Sequence, residues 1–207
     1  MHWLQSLDVS LFRFINQTLS NPVFDVVMPF LSGNAWSFPI AISATVLIAF
    51  WLIWKDRPRG AVCVLMLALI LGTGDMFISN AIKTGVARLR PFAALADVHK
   101  LVKAREDVSM PSSHAANWAA ATMILFIYYR RSLLIMLPLA GAVCFSRVYN
   151  GVHYPSDVLV GAILGAGYAA GGAWTINALW QWAGRRWFPN RWKKLPSLLV
   201  PELTSKT

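Results

Sequence analysis

The sequence predicts an all-α integral membrane helical bundle, with about five transmembrane helices and an N-terminal amphipathic helix. Three observations indicate this class. Hydrophobic residues make up 57% of the 207 positions and charged residues only 14%, whereas soluble domains average about a quarter charged. The mean hydropathy is +0.51. The apolar residues are also grouped into runs that approach the roughly 20 residues a membrane-spanning helix needs.

Five apolar segments are candidates for crossing the bilayer, namely residues 38–54, 61–82, 112–129, 132–145 and 158–182. The fourth is short for a span. We expect it to extend through Arg131, whose long side chain can reach the interface. Pro138 lacks a backbone donor and is expected to bend the same helix.

Residues 1–34 are expected to form interfacial helices ahead of the spans. Over residues 3–19, apolar side chains recur at helical spacing with polar ones between them, which is typical of an amphipathic helix on a membrane surface. Residues 22–31 are apolar but too short to cross alone, so a re-entrant or interfacial segment is expected. Asp8 and Arg13 interrupt the beginning of the chain, which argues against a secretory signal peptide.

The basic residues predict the orientation. The formal net charge is +10, but lysines and arginines stand in short groups between apolar runs, which is unlike a nucleic-acid-binding surface. The loops after the first and third spans and the C-terminal tail hold eleven of the 19 basic residues, which leaves eight on the opposite side. The positive-inside rule therefore places the basic tail, residues 183–207, in the cytoplasm. The loops after the second and fourth spans then face outward.

Several polar or reactive residues are expected to have structural roles only. Cys63 and Cys144 lie inside apolar runs, as packed thiols do, rather than forming a disulfide or metal site. Asp75 lies within the second span, where a carboxylate suggests function by default; we favour a buried structural hydrogen bond. His2 and His99 are expected to be surface residues without partners.

Residues suited to phosphoryl transfer gather at the outer boundary in three stretches that are far apart in sequence. They are Lys83, Arg88, Arg90 and Pro91, then Pro111, Ser112, Ser113 and His114, then Ser146, Arg147, His153, Pro155 and Asp157. A transferring phosphoryl group spreads negative charge over three oxygens, so its catalysis requires positive charge and accurate positioning. Three such stretches at one depth predict a single site.

The cationic residues and the serines suit phosphate binding. Lys83, Arg90 and Arg147 supply positive charge, and arginine adds planar donors that match phosphate. Ser112 and Ser113 open a helix, where hydroxyls and free backbone N–H groups can hold an oxyanion. The alternative for this serine pair is an ordinary N-cap.

Two histidines and an aspartate suit acid–base and nucleophilic roles. His153 and Asp157 are four residues apart, which places them on one helix face if the helix begins by His153. Asp157 could then fix the imidazole tautomer, leaving the other nitrogen to attack phosphorus. His114 remains to protonate the leaving oxygen. Because one histidine must be neutral and the other protonated, a bell-shaped pH profile is expected.

This pattern resembles the type 2 phosphatidic acid phosphatase superfamily, which includes lipid phosphate phosphatases and vanadium haloperoxidases. Its three signatures occur in order: Lys83, six residues and Arg90-Pro91; Pro111-Ser112-Ser113-His114; and Ser146-Arg147, five residues, His153, three residues and Asp157. The family usually has glycine where Ser113 stands. Since the backbone N–H remains, activity is still expected.

The resemblance implies a phosphatase that needs neither metal nor cofactor. In it, His153 would form a phosphohistidine supported by Asp157, and His114 would act as an acid and then activate water. The three cationic residues and two serines above would bind the phosphate. A membrane lipid phosphate and the lipid bilayer are the implied partners.

Within the family, the short chain, the outward site and the Arg-x-Arg-Pro-Phe stretch look most like bacterial undecaprenyl diphosphate phosphatases. This implies a single membrane-embedded phosphatase domain over residues 1–207, in the bacterial cytoplasmic membrane, with its site facing the periplasm. Phosphatidic acid, phosphatidylglycerol phosphate and lipid A remain alternative substrates, and phosphotransfer to another lipid an alternative reaction. A transporter is the alternative outside enzymes, although its ionisable residues are expected near the midplane.

The sequence allows two interpretations of Arg88 and two of residues 92–110. Arg88 is either an interface anchor or part of the site. The loop is either a solvated surface helix or a cover over the site, whose Lys100 and Lys103 contact a second phosphate.

Overall fold

The computed structural model describes residues 2–33, 37–74, 80–104 and 108–199. The described residues form ten α-helices: α1 His2–Arg13, α2 Pro22–Leu31, α3 Ser37–Lys55, α4 Arg59–Gly74, α5 Asn80–Val86, α6 Pro91–Ala94, α7 Ser113–Tyr128, α8 Leu133–Tyr149, α9 Pro155–Trp187 and α10 Pro189–Lys194. Within these ranges the extended pairing is one isolated bridge between Leu89 and Val108. The predicted all-α class is confirmed.

Within the described ranges, three helices are long and apolar enough to cross a membrane: Ser37–Lys55, Arg130–Tyr149 and Pro155–Trp187. The second includes the 3-10 turn Arg130–Ser132 that leads into α8, so the expected extension past Arg131 is confirmed. Large apolar side chains on α3, such as Phe38 and Phe50, are exposed. Such a surface is costly in water but favourable in lipid, which agrees with a membrane protein.

Two predicted span boundaries differ from the structure. The segment predicted as the second span falls on both α4 and α5, and residues 75–79 between them, including Asp75, lie outside the described residues. The fourth span was predicted to end at residue 145, but α8 continues to Tyr149 and carries Arg147 in its last turn.

Helices α7 and α9 approach closely because two glycines lie between them. A Cβ at Gly161 would come within 2.5 Å of the Ser112 carbonyl oxygen, and one at Gly165 within 2.0 Å of the Ala116 oxygen. Small residues four apart permit this contact. As a result, the beginnings of α7 and α9 lie side by side. Deeper in the bundle these helices and α4 share a core that includes fully buried Cys63.

The N-terminal amphipathic helix is present but shorter than predicted, because α1 ends at Arg13 and a π-helical turn, Phe14–Thr18, follows. Its apolar side chains, such as Trp3 and Leu7, are exposed. The inward side carries Phe12, whose ring centroid lies 5.5 Å from that of Tyr154. Exposed apolar groups on a helix of this kind suit a membrane interface.

Two expectations about residues 92–110 are wrong. His99 has partners: its Nδ1 lies 3.0 Å from Ser20 Oγ and its Nε2 3.8 Å from Asp25. The side chain of His2 is outside the described part. In the described part of the loop predicted as a surface helix, the helix is confined to its beginning, in α6, and residues 95–104 are irregular.

The basic C-terminal segment begins as helix rather than as free chain. Residues 183–187 complete α9, and α10 follows at once. The chain then returns to the bundle, where Leu198 N–H donates to Asn177 Oδ1 at 2.7 Å and Tyr128 Oη donates to the Leu198 carbonyl at 2.6 Å.

The replacement Gly165→Ala will lower the melting temperature of the detergent-solubilised protein. The added Cβ must push α9 away from the Ala116 carbonyl oxygen, and overpacking of this kind costs about 1–3 kcal/mol. Gly167→Ala is the matched control, since a Cβ there meets no atom within 4 Å. Equal melting temperatures for the two variants would contradict the close α7–α9 contact.

Candidate active site

The predicted nucleophile, His153, lies in the turn between α8 and α9 and is 2% exposed. Its Nδ1 is 3.7 Å from Asp157 Oδ2 and 3.5 Å from Ser109 Oγ. Its Nε2 is 3.2 Å from Arg90 Nη1. The two ring nitrogens thus face groups of opposite charge. A proton on Nδ1 would be stabilised by Asp157, and the Nε2 lone pair would then be directed at the cationic side.

Asp157 is completely buried and all of its described contacts come from donors. Oδ2 accepts the Tyr154 N–H at 2.8 Å and the hydroxyl of Ser109, and Oδ1 accepts from Arg88 Nη1 at 2.8 Å. A buried carboxylate is tolerated only when it is paired in this way. Its position next to His153 is therefore fixed from several sides.

The predicted pairing of His153 with Asp157 is found, but its predicted reason is wrong. Helix α9 begins at Pro155, so His153 precedes the helix and the pair does not share a helix face. Asp157 instead occupies the third position of α9, where it caps the Tyr154 N–H and still turns toward the imidazole.

Two arginines are buried near His153, each only 7% exposed. Arg90 Nη1 donates to the Val152 carbonyl at 3.1 Å, and Arg147 Nη1 donates to the Ser32 carbonyl at 3.4 Å. Among the described residues, Arg147 has no carboxylate within salt-bridge distance and its buried Nε has no hydrogen-bond partner. A buried cation without a counter-charge is costly, so an anionic ligand would stabilise it.

Residues of the second signature form hydrogen bonds with residues of the first and the third. Ser112 N–H donates to the Asp157 carbonyl at 3.0 Å, and Lys83 Nζ donates to Ser113 Oγ at 2.7 Å. Ser112 is the N-cap residue of α7, yet its hydroxyl makes no cap hydrogen bond and has no partner in the described ranges. The ordinary N-cap interpretation therefore fails for this side chain. His114 follows in the first turn of α7, with its side chain exposed.

The environment of His153 lowers the pKa of its imidazole to about 4. Burial is the largest cause, the charges of Arg147 and Arg90 add to it, and Asp157 acts in the opposite direction. The ring is consequently neutral near pH 7, which is the form that a nucleophile requires. If His153 is that nucleophile, the acidic side of the predicted bell-shaped profile moves to lower pH.

The sequence patterns did not assign three residues that the structure places at the site. Ser109 is fully buried against Asp157 but lies outside the three signatures. Arg88 lies between two carboxylates, 2.6 Å from Asp8 and 2.8 Å from Asp157, so it is an internal ionic link and not an interface anchor. The available signal was Asp8 itself, the one carboxylate in the sequence of the amphipathic helix α1.

The donors at this site suit a phosphate better than a metal ion. Guanidinium, ammonium and hydroxyl groups match phosphate oxygens, whereas metal ions take carboxylate, imidazole or thiolate ligands. In the described ranges, no three histidine, cysteine, aspartate or glutamate side chains lie together in a way that could hold a metal ion.

Comparison with known sequences identifies the family. Residues 61–187, more than half of the chain, match the sequence profile of the PAP2 superfamily. The chain belongs to the PAP2 superfamily. The matched range includes all three signatures.

Similar proteins agree with this membership. Bacitracin transport permease protein BcrC of Bacillus licheniformis is 30% identical over 178 residues, which cover 84% of this chain and 82% of that protein. Undecaprenyl-diphosphatase BcrC of Bacillus subtilis is 34% identical over 140 residues, which cover 67% and 68%. The PAP2-type phosphatidylglycerolphosphate phosphatase of Bacillus subtilis, known from a crystal structure, superposes with a TM-score of 0.64 at 24% identity, over 85% of this chain and 89% of that one.

This PAP2 protein is thus a membrane-embedded phosphatase, a hydrolase of phosphoric esters whose class of substrate is the lipid phosphates. The structural likeness shows the fold, and the sequence relationship shows the enzyme class.

The imidazole of His153 will stay neutral in an NMR titration down to about pH 5, because its pKa is about 4 and not the ordinary value near 6.5. The measurement uses isotope-labelled protein in detergent micelles, and His153→Gln assigns the signals by their loss. A His153 midpoint near 6.5 would contradict the described burial and charge environment.

Proposed function

We propose that this PAP2 phosphatase removes the terminal phosphate of undecaprenyl diphosphate, without a metal ion, through a phosphohistidine at His153. The observation that carries the proposal is the buried, neutral His153 beside two buried arginines, one of which lacks an acidic partner in the described part. A pocket that is already positively charged, and whose nucleophile is uncharged, favours a phosphate dianion.

The reaction takes two steps. His153 Nε2 attacks the terminal phosphorus, the bond from phosphorus to the bridging oxygen breaks, and His114 gives its proton to the departing oxygen. The lipid leaves as a monophosphate and the phosphoryl group stays on His153. His114 then takes a proton from water, the resulting oxygen attacks phosphorus, and the N–P bond breaks to release inorganic phosphate.

Asp157 supports the imidazole in both steps. It holds the Nδ1 side of His153 and stabilises the positive ring that forms when Nε2 bonds to phosphorus. The other side chains assigned to the substrate bind its phosphate oxygens, and they are Lys83, Arg90, Ser112, Ser113 and Arg147. In the described part of the chain the Ser112 hydroxyl and Arg147 Nε have no hydrogen-bond partner, which supports this role because phosphate oxygens would satisfy both.

An apolar groove supports a substrate with a long hydrocarbon chain. It measures about 440 Å³ and runs between α7, α8 and α9, with Thr122, Gly141 and Ala162 in its walls. The same three helices carry His114, Arg147 and Asp157 at their outer ends. A lipid chain in the groove would leave its phosphate at the level of these side chains.

Placement in the cell follows from the charge distribution. We propose a single membrane-embedded domain over residues 1–207 in the bacterial cytoplasmic membrane, with the site toward the periplasm and the C-terminus in the cytoplasm. The excess of basic residues on the side opposite the site supports this orientation.

Phosphate release by the purified protein tests the proposal. The panel contains undecaprenyl diphosphate, phosphatidic acid, phosphatidylglycerol phosphate and lipid A, each with EDTA present. We expect undecaprenyl diphosphate to be hydrolysed fastest, and His153→Ala to lower kcat by roughly a thousandfold or more. His99→Ala is the matched control, because His99 lies on the outer face but contacts Ser20 rather than the site.

Each alternative outcome contradicts a separate part of the proposal. Loss of activity in EDTA would exclude the metal-free route. Activity in His153→Ala would exclude this nucleophile. Faster hydrolysis of another lipid phosphate would change the substrate and leave the chemistry in place.

A further inference from the structure

Asp8 is oriented in an unusual way for an interfacial helix. The apolar side chains of α1, such as Leu4, Leu7 and Leu11, are exposed, whereas the carboxylate of Asp8 points inward and is 9% exposed. A carboxylate that leaves water loses much of its hydration free energy unless donors replace it. The inward orientation of Asp8 therefore depends on the hydrogen-bond donors that it contacts.

Three donors surround the Asp8 carboxylate. Oδ1 accepts the Ser156 N–H at 2.9 Å, and Oδ2 accepts the Ser156 hydroxyl at 2.5 Å and Arg88 Nη2 at 2.6 Å. Ser156 is in the first turn of α9, where negative charge is favourable because of the helix dipole. Asp8 thus binds both the start of α9 and Arg88.

Arg88 carries the contact from Asp8 to the nucleophile. Its Nη1 donates to Asp157 Oδ1 at 2.8 Å, and its guanidinium lies 3.9 Å from the centre of the Tyr154 ring. Asp157 in turn faces His153 with its other oxygen. Asp8, Arg88, Asp157 and His153 therefore form one continuous polar chain from α1 to the site.

The contacts of Asp8 with Arg88 and Ser156 are a polar link between α1 and the beginning of α9. Beside them lies a groove of about 770 Å³, lined by Leu4, Leu7 and Leu159 among others, so the two helices are not densely packed there. A buried apolar cluster that includes Phe12, Tyr154 and Val158 also joins α1 to the beginning of α9, and Asp8 is not part of it. Removing the Asp8 charge would therefore change the ion pairs of Arg88 without creating a cavity in the apolar core.

We propose that Asp8 is a positioning residue for the phosphatase reaction, which it serves by sharing Arg88 with Asp157. This inference rests on the roles proposed above for His153 and Asp157. With Asp8 present, the Arg88 charge is divided between two carboxylates, so Asp157 keeps negative charge for the imidazole. Without Asp8, Arg88 pairs with Asp157 alone and weakens its support of the positive ring.

The test is the kinetics of Asp8→Asn on undecaprenyl diphosphate and on a water-soluble phosphate monoester. We expect kcat to fall about tenfold on both substrates, with KM unchanged, since a tenfold change is about 1.4 kcal/mol and couplings within one ion-pair network reach that size. In an Arg88→Gln background, the same replacement should cause no further loss. Arg13→Ala is the control, because it also removes an ion pair of α1, to Asp97 at 3.5 Å, but outside the site.

Several results would overturn the inference. A raised KM for the lipid alone, with kcat unchanged, would mean that α1 presents the substrate and does not position Asp157. The inference would also be overturned if Asp8→Asn were as active as Arg13→Ala. The same holds if Asp8→Asn still lowered kcat tenfold in the Arg88→Gln background. If Asp8→Asn does not fold, Arg88→Lys replaces it and should show the same fall in kcat, because lysine keeps the charge but cannot bridge two carboxylates.

The same assay separates this inference from the proposed function. His153→Ala is measured beside the Asp8 variant. Activity in His153→Ala would overturn both proposals, whereas an inactive His153→Ala with an unaffected Asp8→Asn would overturn only the role of Asp8.

Discussion

The buried carboxylate of Asp157 is the group on which the arrangement of the site depends. It accepts hydrogen bonds from Ser109, Arg88 and the Tyr154 backbone, while its own carbonyl accepts from Ser112. These donors come from separate segments of the chain. Because the Asp157 carboxylate is buried, it depends on them for hydrogen bonds, and these bonds hold the segments together. Fixing Asp157 thereby fixes the beginnings of α7 and α9 and the ring of His153.

Around this anion the site collects an excess of positive charge. Arg90 and Arg147 are buried near His153 at 7% exposure, and Arg90 lies on the Nε2 side of the ring, away from Asp157. Such an arrangement costs stability in the free protein and becomes favourable when a phosphate arrives, which is how a preorganised site stabilises a charged transition state. The close α7–α9 contact at Gly161 and Gly165 allows the two helix starts to face the same ligand.

The sequence predicted the helical membrane class and the three groups of polar residues, because long apolar runs and short spaced signatures are local properties. The structure brings Lys83, Arg90 and His153 into contact with members of the other groups, as expected, although their roles remain proposals. What the sequence did not reveal depends on tertiary contacts. Ser109 lies in an irregular segment, and Asp8 meets Ser156 across 148 residues of sequence. The spacing of His153 and Asp157 suggested a helix that begins by His153, whereas α9 begins at Pro155.

Covalent catalysis at His153 passes through a phosphorylated enzyme, and trapping that intermediate is the decisive measurement. Enzyme given substrate with a labelled terminal phosphate is quenched in base within the first turnovers, digested and analysed by mass spectrometry. Covalent catalysis requires a phosphate on the peptide containing His153 that is stable in base and lost in acid. Label on another residue, or steady turnover with no labelled enzyme, would contradict it.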